Sequence, residues 1–260
     1  RHRFALYMHY ESPHSPYAPP TAVLDRLRAH LGKVPLRFED RYRAEVMALD
    51  EEVGRIWKAV ERLGLKGETV VLVTADHGEV LDRQHCFFLP RLKYNTCYSP
   101  STSPYDEVLR VPLLLVGPGV PAGKVITQLT RHVDLVPTVL ALMGAPPMAG
   151  AMGVSVVPQV KGERPDEARD VYAAGRGISA LRRGTGKVIY RGAATRDIVD
   201  GGRKRSVTLE LYDLAADPAE HKNLAGVEKE RTEAMWRELL GYMVKDRVGL
   251  PPYLKKKLAP

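Results

Sequence analysis

The chain has 260 residues, 44% hydrophobic and 27% charged, with a formal net charge of +8. This is ordinary globular composition, enough to bury one large α/β domain alone or with a small second one, and it excludes a disordered or low-complexity chain. Two cysteines exclude a disulfide-dense scaffold, no stretch approaches the ~18 apolar residues of a membrane span, and the basic excess suits an anionic partner without naming one.

Phe4 to Tyr10 reads as a strand, and Ser12-Pro-His-Ser-Pro-Tyr-Ala-Pro-Pro20 as a rigid loop leaving it. The chain opens at Arg1, directly before that apolar run, so the expectation is that the natural N-terminus lies further upstream. A short helix is expected around Ala22 to His30. Val46, Leu49, Val53, Ile56, Val60 and Leu63 then recur at spacings of three and four, predicting a long amphipathic helix over Glu39 to Leu63 that Gly64 and Gly67 stop. Thr69 to Ala75 is short, β-branched and uncharged, which predicts a strand covered on both faces of a parallel sheet.

Residues 80 to 105 form a long loop holding Cys86 and Cys97, which could pair in an exported protein or stay free thiols in a cytosol. Val111 to Val116 is the next buried strand, closed by Gly117-Pro-Gly119, and Asp134 to Met143 a helix with Asp134 as N-cap. Pro146 to Gly162 reads as a crossing connection. Asp170 to Ala174, Lys187 to Arg191 and Leu209 to Leu214 then read as strands, followed by a helix over Lys229 to Met243. That order predicts a small antiparallel sheet with a covering helix. The division expected is 1–160 for an α/β domain and 161–260 for a small α+β subdomain. The basic runs at Arg182-Arg183, Arg203-Lys-Arg205 and Lys255 to Lys257 read as solvated surface or tail, with no nucleic-acid partner.

The strand at 69 to 75 runs straight into Asp76 and His77, followed by Gly78. Ligands in open α/β sheets sit beyond the carboxyl ends of such strands. A carboxylate and an imidazole there can both hold a divalent cation, and Gly78 lets the chain turn so that the two side chains converge. The dipeptide alone also fits a helix-capping Asp beside a hydrogen-bonded His.

Five segments, taken in order, resemble the sulfatase family of the alkaline-phosphatase-like superfamily, in its middle and C-terminal part. They are Leu6 to Tyr17, Val70 to Glu79, Tyr105-Asp-Glu-Val-Leu-Arg-Val-Pro-Leu-Leu-Leu-Val-Gly-Pro-Gly119, Val133-Asp-Leu-Val-Pro-Thr-Val-Leu140, and Leu211 to Leu224. The resemblance implies a mostly parallel sheet flanked by helices, with a small C-terminal antiparallel sheet and helix. It implies a sulfuric ester hydrolase using one divalent ion, calcium first, with manganese or zinc favoured by the imidazole. Asp76 and His77 fall on the second pair of metal ligands. His14 falls on the histidine that contacts the sulfate and can protonate the departing alkoxide.

Other positions depart from the family's pattern. A Lys or His normally meets a sulfate oxygen between the metal pair and the Arg-Val-Pro strand, but Ser99 to Pro104 replaces the usual Gly-His there. Lys93 is the first substitute, with Arg91 and His85 the others; His85 could instead support the site from behind. Glu79 reads as a helix-start or supporting carboxylate. Cys97-Tyr-Ser-Pro-Ser101 lies after the metal pair and lacks the Arg of a formylglycine motif, so no nucleophile is assigned, and the Asp-Asp ligand pair is expected upstream of Arg1. The substrate class implied is a sulfated small molecule or carbohydrate, and the oligomeric state is left open. Phosphodiester or phosphonate hydrolysis on the same scaffold, and a noncatalytic fragment or binding module, are the rival readings.

Overall fold

A computed structural model describes residues 3–32, 35–86, 88–89, 94–95, 97, 100, 103–163, 169–175, 177–191, 198–200, 203–205 and 209–246. The elements run α1 (Thr21–Leu31), α2 (Phe38–Arg62), β1 (Val71–Thr74), β2 (Phe88–Leu89), β3 (Tyr94–Asn95), α3 (Asp106–Leu109), β4 (Leu113–Val116), α4 (Leu135–Met143) and α5 (Val157–Lys161). They continue with β5 (Asp170–Ala174), β6 (Ile178–Arg183), β7 (Gly186–Arg191), β8 (Ile198–Asp200), β9 (Arg203–Arg205), β10 (Leu209–Asp213) and α6 (Lys229–Asp246). β1 pairs with β4, and two four-stranded sheets have the orders β10-β7-β6-β5 and β3-β2-β8-β9. By contacts the chain forms two compact units. One comprises Arg1–Leu72, Leu114–Ala122 and Leu142–Ala145; the other comprises Val73–Leu113, Gly123–Ala141 and Pro146–Pro260.

In the first unit, Val23, Leu24 and Leu27 of α1 pack on Ala44 of α2, with Leu31, Leu36, Met47 and Ala48 around them. α2 matches its predicted span closely, but its apolar stripe is only partly covered, since Val46 and Leu63 are exposed. Arg37 donates its backbone N–H to Asp40 Oδ2 at 2.8 Å, satisfying a donor at the helix start. Gly117 sits at φ +146°, and a Cβ there would stand 2.5 Å from the Thr69 carbonyl oxygen, so only glycine fits beside the entry to β1. Phe4 to Tyr10 does not form the expected strand: no described strand pairs with it, and Phe4, Leu6 and Tyr7 are 79%, 74% and 84% exposed. An apolar run does not by itself supply the ladder partner that a strand requires.

In the second unit the small sheet is antiparallel throughout, with Leu181 opposite Val188 and Val188 opposite Leu211. Leu181, Val188, Tyr190 and Leu211 pack against Leu239 and Met243 of α6, and each apolar side chain buried there contributes roughly 1.5–3 kcal/mol. This is the predicted sheet and helix, with one more strand than the sequence showed. β6 is the addition, and its end is Arg182-Arg183, expected as solvated surface. Arg183 is exposed as expected while pairing with Asp170 at 2.5 Å, whereas the half-buried Arg182 pairs with Asp106 at 2.8 Å.

The other face of the sheet buries charge. Arg191 Nε donates to Glu210 Oε1 at 2.6 Å, and the hydroxyls of Tyr105 and Tyr212 each donate to Glu210 Oε2 at 2.9 Å. Burial pushes the Glu210 carboxyl up, but the Arg191 charge and these hydrogen bonds hold it below the usual carboxylate range. A buried ion pair of this kind is weak evidence for stability; removing one partner costs far more than the pair contributes. Asp134 follows the same logic. Its buried carboxylate accepts from Arg131, Arg169 and the Val154 N–H, and the bonds from Arg131 and Val154 outweigh burial and lower its pKa. It also accepts the Arg131 N–H at 3.0 Å, closing the turn that precedes α4.

Candidate metal centre and its supporting loop

β1 ends at Thr74, and Asp76 and His77 follow it, exposed at 71% and 41% of their side-chain surface. The Asp76 carboxylate caps the turn by accepting the His77 N–H at 2.9 Å through Oδ1. Its Oδ2 lies 3.5 Å from His77 Nε2. His77 Nδ1 lies 2.8 Å from the Gly78 carbonyl oxygen, an atom that can only accept, so the neutral ring carries its proton on Nδ1. The Nε2 lone pair is then free on the side of the Asp76 carboxylate. A hard carboxylate oxygen and an imidazole nitrogen at this separation fit two adjacent positions around one divalent cation.

Gly78 fixes the direction of the turn. Its N–H donates to the Val108 carbonyl at 2.7 Å, the Glu79 N–H reaches the Glu107 carbonyl at 3.2 Å, and a Cβ on Gly78 would lie 2.0 Å from that carbonyl oxygen. His132 Nε2 lies 3.0 Å from the Ala75 carbonyl oxygen and holds the strand end from another side. Glu79 is buried and accepts the Val80 N–H at 3.0 Å, consistent with a supporting carboxylate.

Glu107, which carries no signal of a role in the sequence, organises the loop beyond Val80. Its Oε2 accepts the N–H groups of Leu81 and Asp82 at 3.0 and 2.9 Å, and its Oε1 lies 2.7 Å from His85 Nδ1. His85 is 5% exposed and stacks on Tyr105 with ring centroids 3.7 Å apart. Burial disfavours its charged form, but the Glu107 hydrogen bond and charge, with Asp82, raise its pKa above the ordinary value. Here His85 is a packed, oriented ring. Cys86 and Cys97 are joined as a disulfide, with Cα atoms 4.8 Å apart, which settles a pairing the sequence left open. Lys93 and Arg91 lie outside the described residues.

Asp106 ties this loop to the small sheet. It accepts from Lys187 Nζ at 2.7 Å and Arg182 Nη1 at 2.8 Å, and its N–H donates to Glu220 Oε2 at 2.5 Å. Glu220 has φ +56°, a left-handed backbone unusual for a residue with a long side chain. Its ion pair with the buried Lys187 at 2.8 Å, with the Asp106 bond, holds it there.

His14 belongs to the other compact unit. Glu45 of α2, buried, accepts from the Ser12 hydroxyl and from the Ala18 N–H at 2.7 Å, and so folds residues 12 to 18 into a fixed loop. Tyr17 is buried against Phe38 and Tyr42. His14 stays exposed, with Nδ1 2.6 Å from the Ser15 carbonyl oxygen, which leaves Nε2 as its other ring nitrogen.

Residues 1–145 match the family model described as Sulfatase. The chain belongs to the sulfatase family. It is 34% identical to arylsulfatase A of Homo sapiens over 200 residues, covering 70% of this chain and 38% of that one. It is 31% identical to choline-sulfatase of Rhizobium meliloti over 196 residues, covering 73% of this chain and 33% of that one. The chain thus spans between about a third and two fifths of these relatives' length. A solved structure of a protein in complex with its substrate D-glucosamine-2-N,6-O-disulfate superposes with a TM-score of 0.58 at 21% identity, covering 86% of this chain and 46% of that one. The fold is accordingly the alkaline-phosphatase-like α/β fold, with the small antiparallel sheet and helix at its C-terminal end. Sulfatases generally bind a divalent metal, and the chemistry of Asp76 with His77 suits one.

Proposed function

We propose that the protein is a sulfuric ester hydrolase in which Asp76 and His77 supply two ligands of a divalent cation and His14 acts on the leaving group. The observation that carries this is the Asp76–His77 pair at the end of β1, with Nε2 freed toward the carboxylate by the Nδ1 contact to Gly78. The cation would neutralise charge on the sulfate oxygens. His14, whose Nδ1–H is held by the Ser15 carbonyl, presents a lone pair at Nε2 when neutral and a proton to a departing alkoxide when it is the imidazolium. We assign calcium on the family resemblance, with manganese as the alternative that the imidazole of His77 favours over it. The substrate proposed is a sulfated small molecule or carbohydrate. Lys93 is retained as the proposed contact to a sulfate oxygen, and His85 as a group that supports the loop.

Paired assays of the full-length protein on an aryl sulfate and a phosphate diester test the reading. The expected result is a higher kcat/KM on the sulfate, falling about 10²–10⁴-fold in His14→Ala with folding unchanged. A higher efficiency on the phosphate diester would move the assignment to a phosphodiesterase on the same scaffold. Full activity in His14→Ala would remove its proton-transfer role.

A further inference from the structure

A second group of metal-binding side chains lies further along the same loop. Asp82, His85 and His221 each offer one ligand atom, and these atoms lie within 4.8 Å of one another. Asp82 is positioned at both ends: its N–H donates to Glu107, and its Oδ1 accepts the Gln84 N–H at 2.8 Å. Oδ2 is left to face His221 Nε2 at 2.6 Å. The His85 and His221 rings meet edge to face with centroids 5.7 Å apart.

The chemistry around His85 calls for a cation. Glu107 takes the Nδ1 proton, so in the neutral ring Nε2 presents a lone pair. The atom facing that nitrogen is the Glu220 carbonyl oxygen at 3.4 Å, which also can only accept. A lone pair against a carbonyl, beside a carboxylate, is relieved by a positive centre, either a second proton on Nε2 donated to that carbonyl or a metal ion that takes the proton's place. A carboxylate on the far nitrogen of an imidazole is also the arrangement that orients histidine ligands toward metals.

We propose that Asp82, His85 and His221 bind a first-row divalent cation of the zinc type, with Glu107 as the carboxylate that orients His85. Two imidazoles and one carboxylate suit zinc and leave a fourth position for water. Zn–N bonds of about 2.0–2.1 Å in a tetrahedron set ligand atoms about 3.3 Å apart, so binding widens the Asp82–His221 contact only slightly. It releases the proton shared by those two groups. The ion would clamp the loop after β1 to the turn after β10, since His221 follows the left-handed Glu220.

The test is calorimetric titration of the chelator-treated full chain with Zn²⁺ near neutral pH, in an Asp76→Ala/His77→Ala background that removes the pair at the end of β1. The expected result is one equivalent bound, with a Co²⁺ derivative showing the intense visible bands of tetrahedral coordination. His221→Ala should remove that binding, and Glu107→Gln should weaken it about 10–100-fold. His221→Gln keeps a hydrogen-bonding group beside Asp82 and serves as the folded control; it too should lose the ion. No zinc uptake in the background variant, or uptake unchanged in His221→Gln, would overturn the proposal.

Discussion

Two loops in this protein are built by the same device and reach opposite ends. In residues 12 to 18 the buried Glu45 accepts from Ser12 and Ala18, and the histidine between them, His14, remains exposed with its outer nitrogen free. In residues 79 to 86 the buried side of Glu107 accepts from Leu81 and Asp82 and then takes His85 as well. A carboxylate that makes no bond to the ring leaves its histidine exposed. One that also binds the ring turns the histidine into structure, or into an oriented ligand. His77 resembles His14 in this respect, because a backbone carbonyl and not a carboxylate occupies its Nδ1.

The largest expected effect separates the two loops. Glu107→Ala strands two backbone N–H groups and the buried His85, a loss on the order of 3–5 kcal/mol, read by urea denaturation. Glu45→Ala strands one N–H and one hydroxyl, so roughly 1–3 kcal/mol is expected, with faster hydrogen exchange at Ala18 as the local sign. Equal losses in the two variants would break the comparison.

A smaller effect is set by pH. The pKa of His85 lies above its ordinary value of 6.5 in the folded state, so its stabilising contribution is fully present below that value and is lost as pH rises through the raised one. With chelator present, stability should fall as pH rises above the ordinary histidine value of 6.5, and His85→Gln should flatten that slope. A wild-type profile that rises over this range would contradict the Glu107–His85 coupling.

The legible parts of this molecule are those whose signal is local. The β-branched run before Asp76, the spacing along α2 and the strands β5, β7 and β10 each lie within a single stretch of sequence, and each forms where expected. Glu107, Glu220 and His221 were illegible because their roles exist only through partners far away in the chain: Glu107 meets His85 22 residues away, and His221 meets Asp82 139 away. β6 was hidden by its end at Arg182-Arg183, of which Arg183 is indeed exposed while Arg182 is half-buried against Asp106. Phe4 to Tyr10 shows the reverse, an apolar pattern that reads as a strand without a described neighbour to complete it. The family-like loop drew attention to His14, but nothing in the sequence pointed to Glu45, since a glutamate within an amphipathic helix carries no sign of what it will hold.

The most direct test is the affinity of the protein for Ca²⁺ and Mn²⁺, measured by titration of wild type, Asp76→Ala and His221→Gln. Asp76→Ala should lose at least about tenfold in affinity for the ion that wild type prefers, with stability little changed, because its carboxylate is exposed. His221→Gln should leave that affinity intact. Unchanged calcium and manganese binding in Asp76→Ala would show that the pair at the end of β1 is not a metal centre.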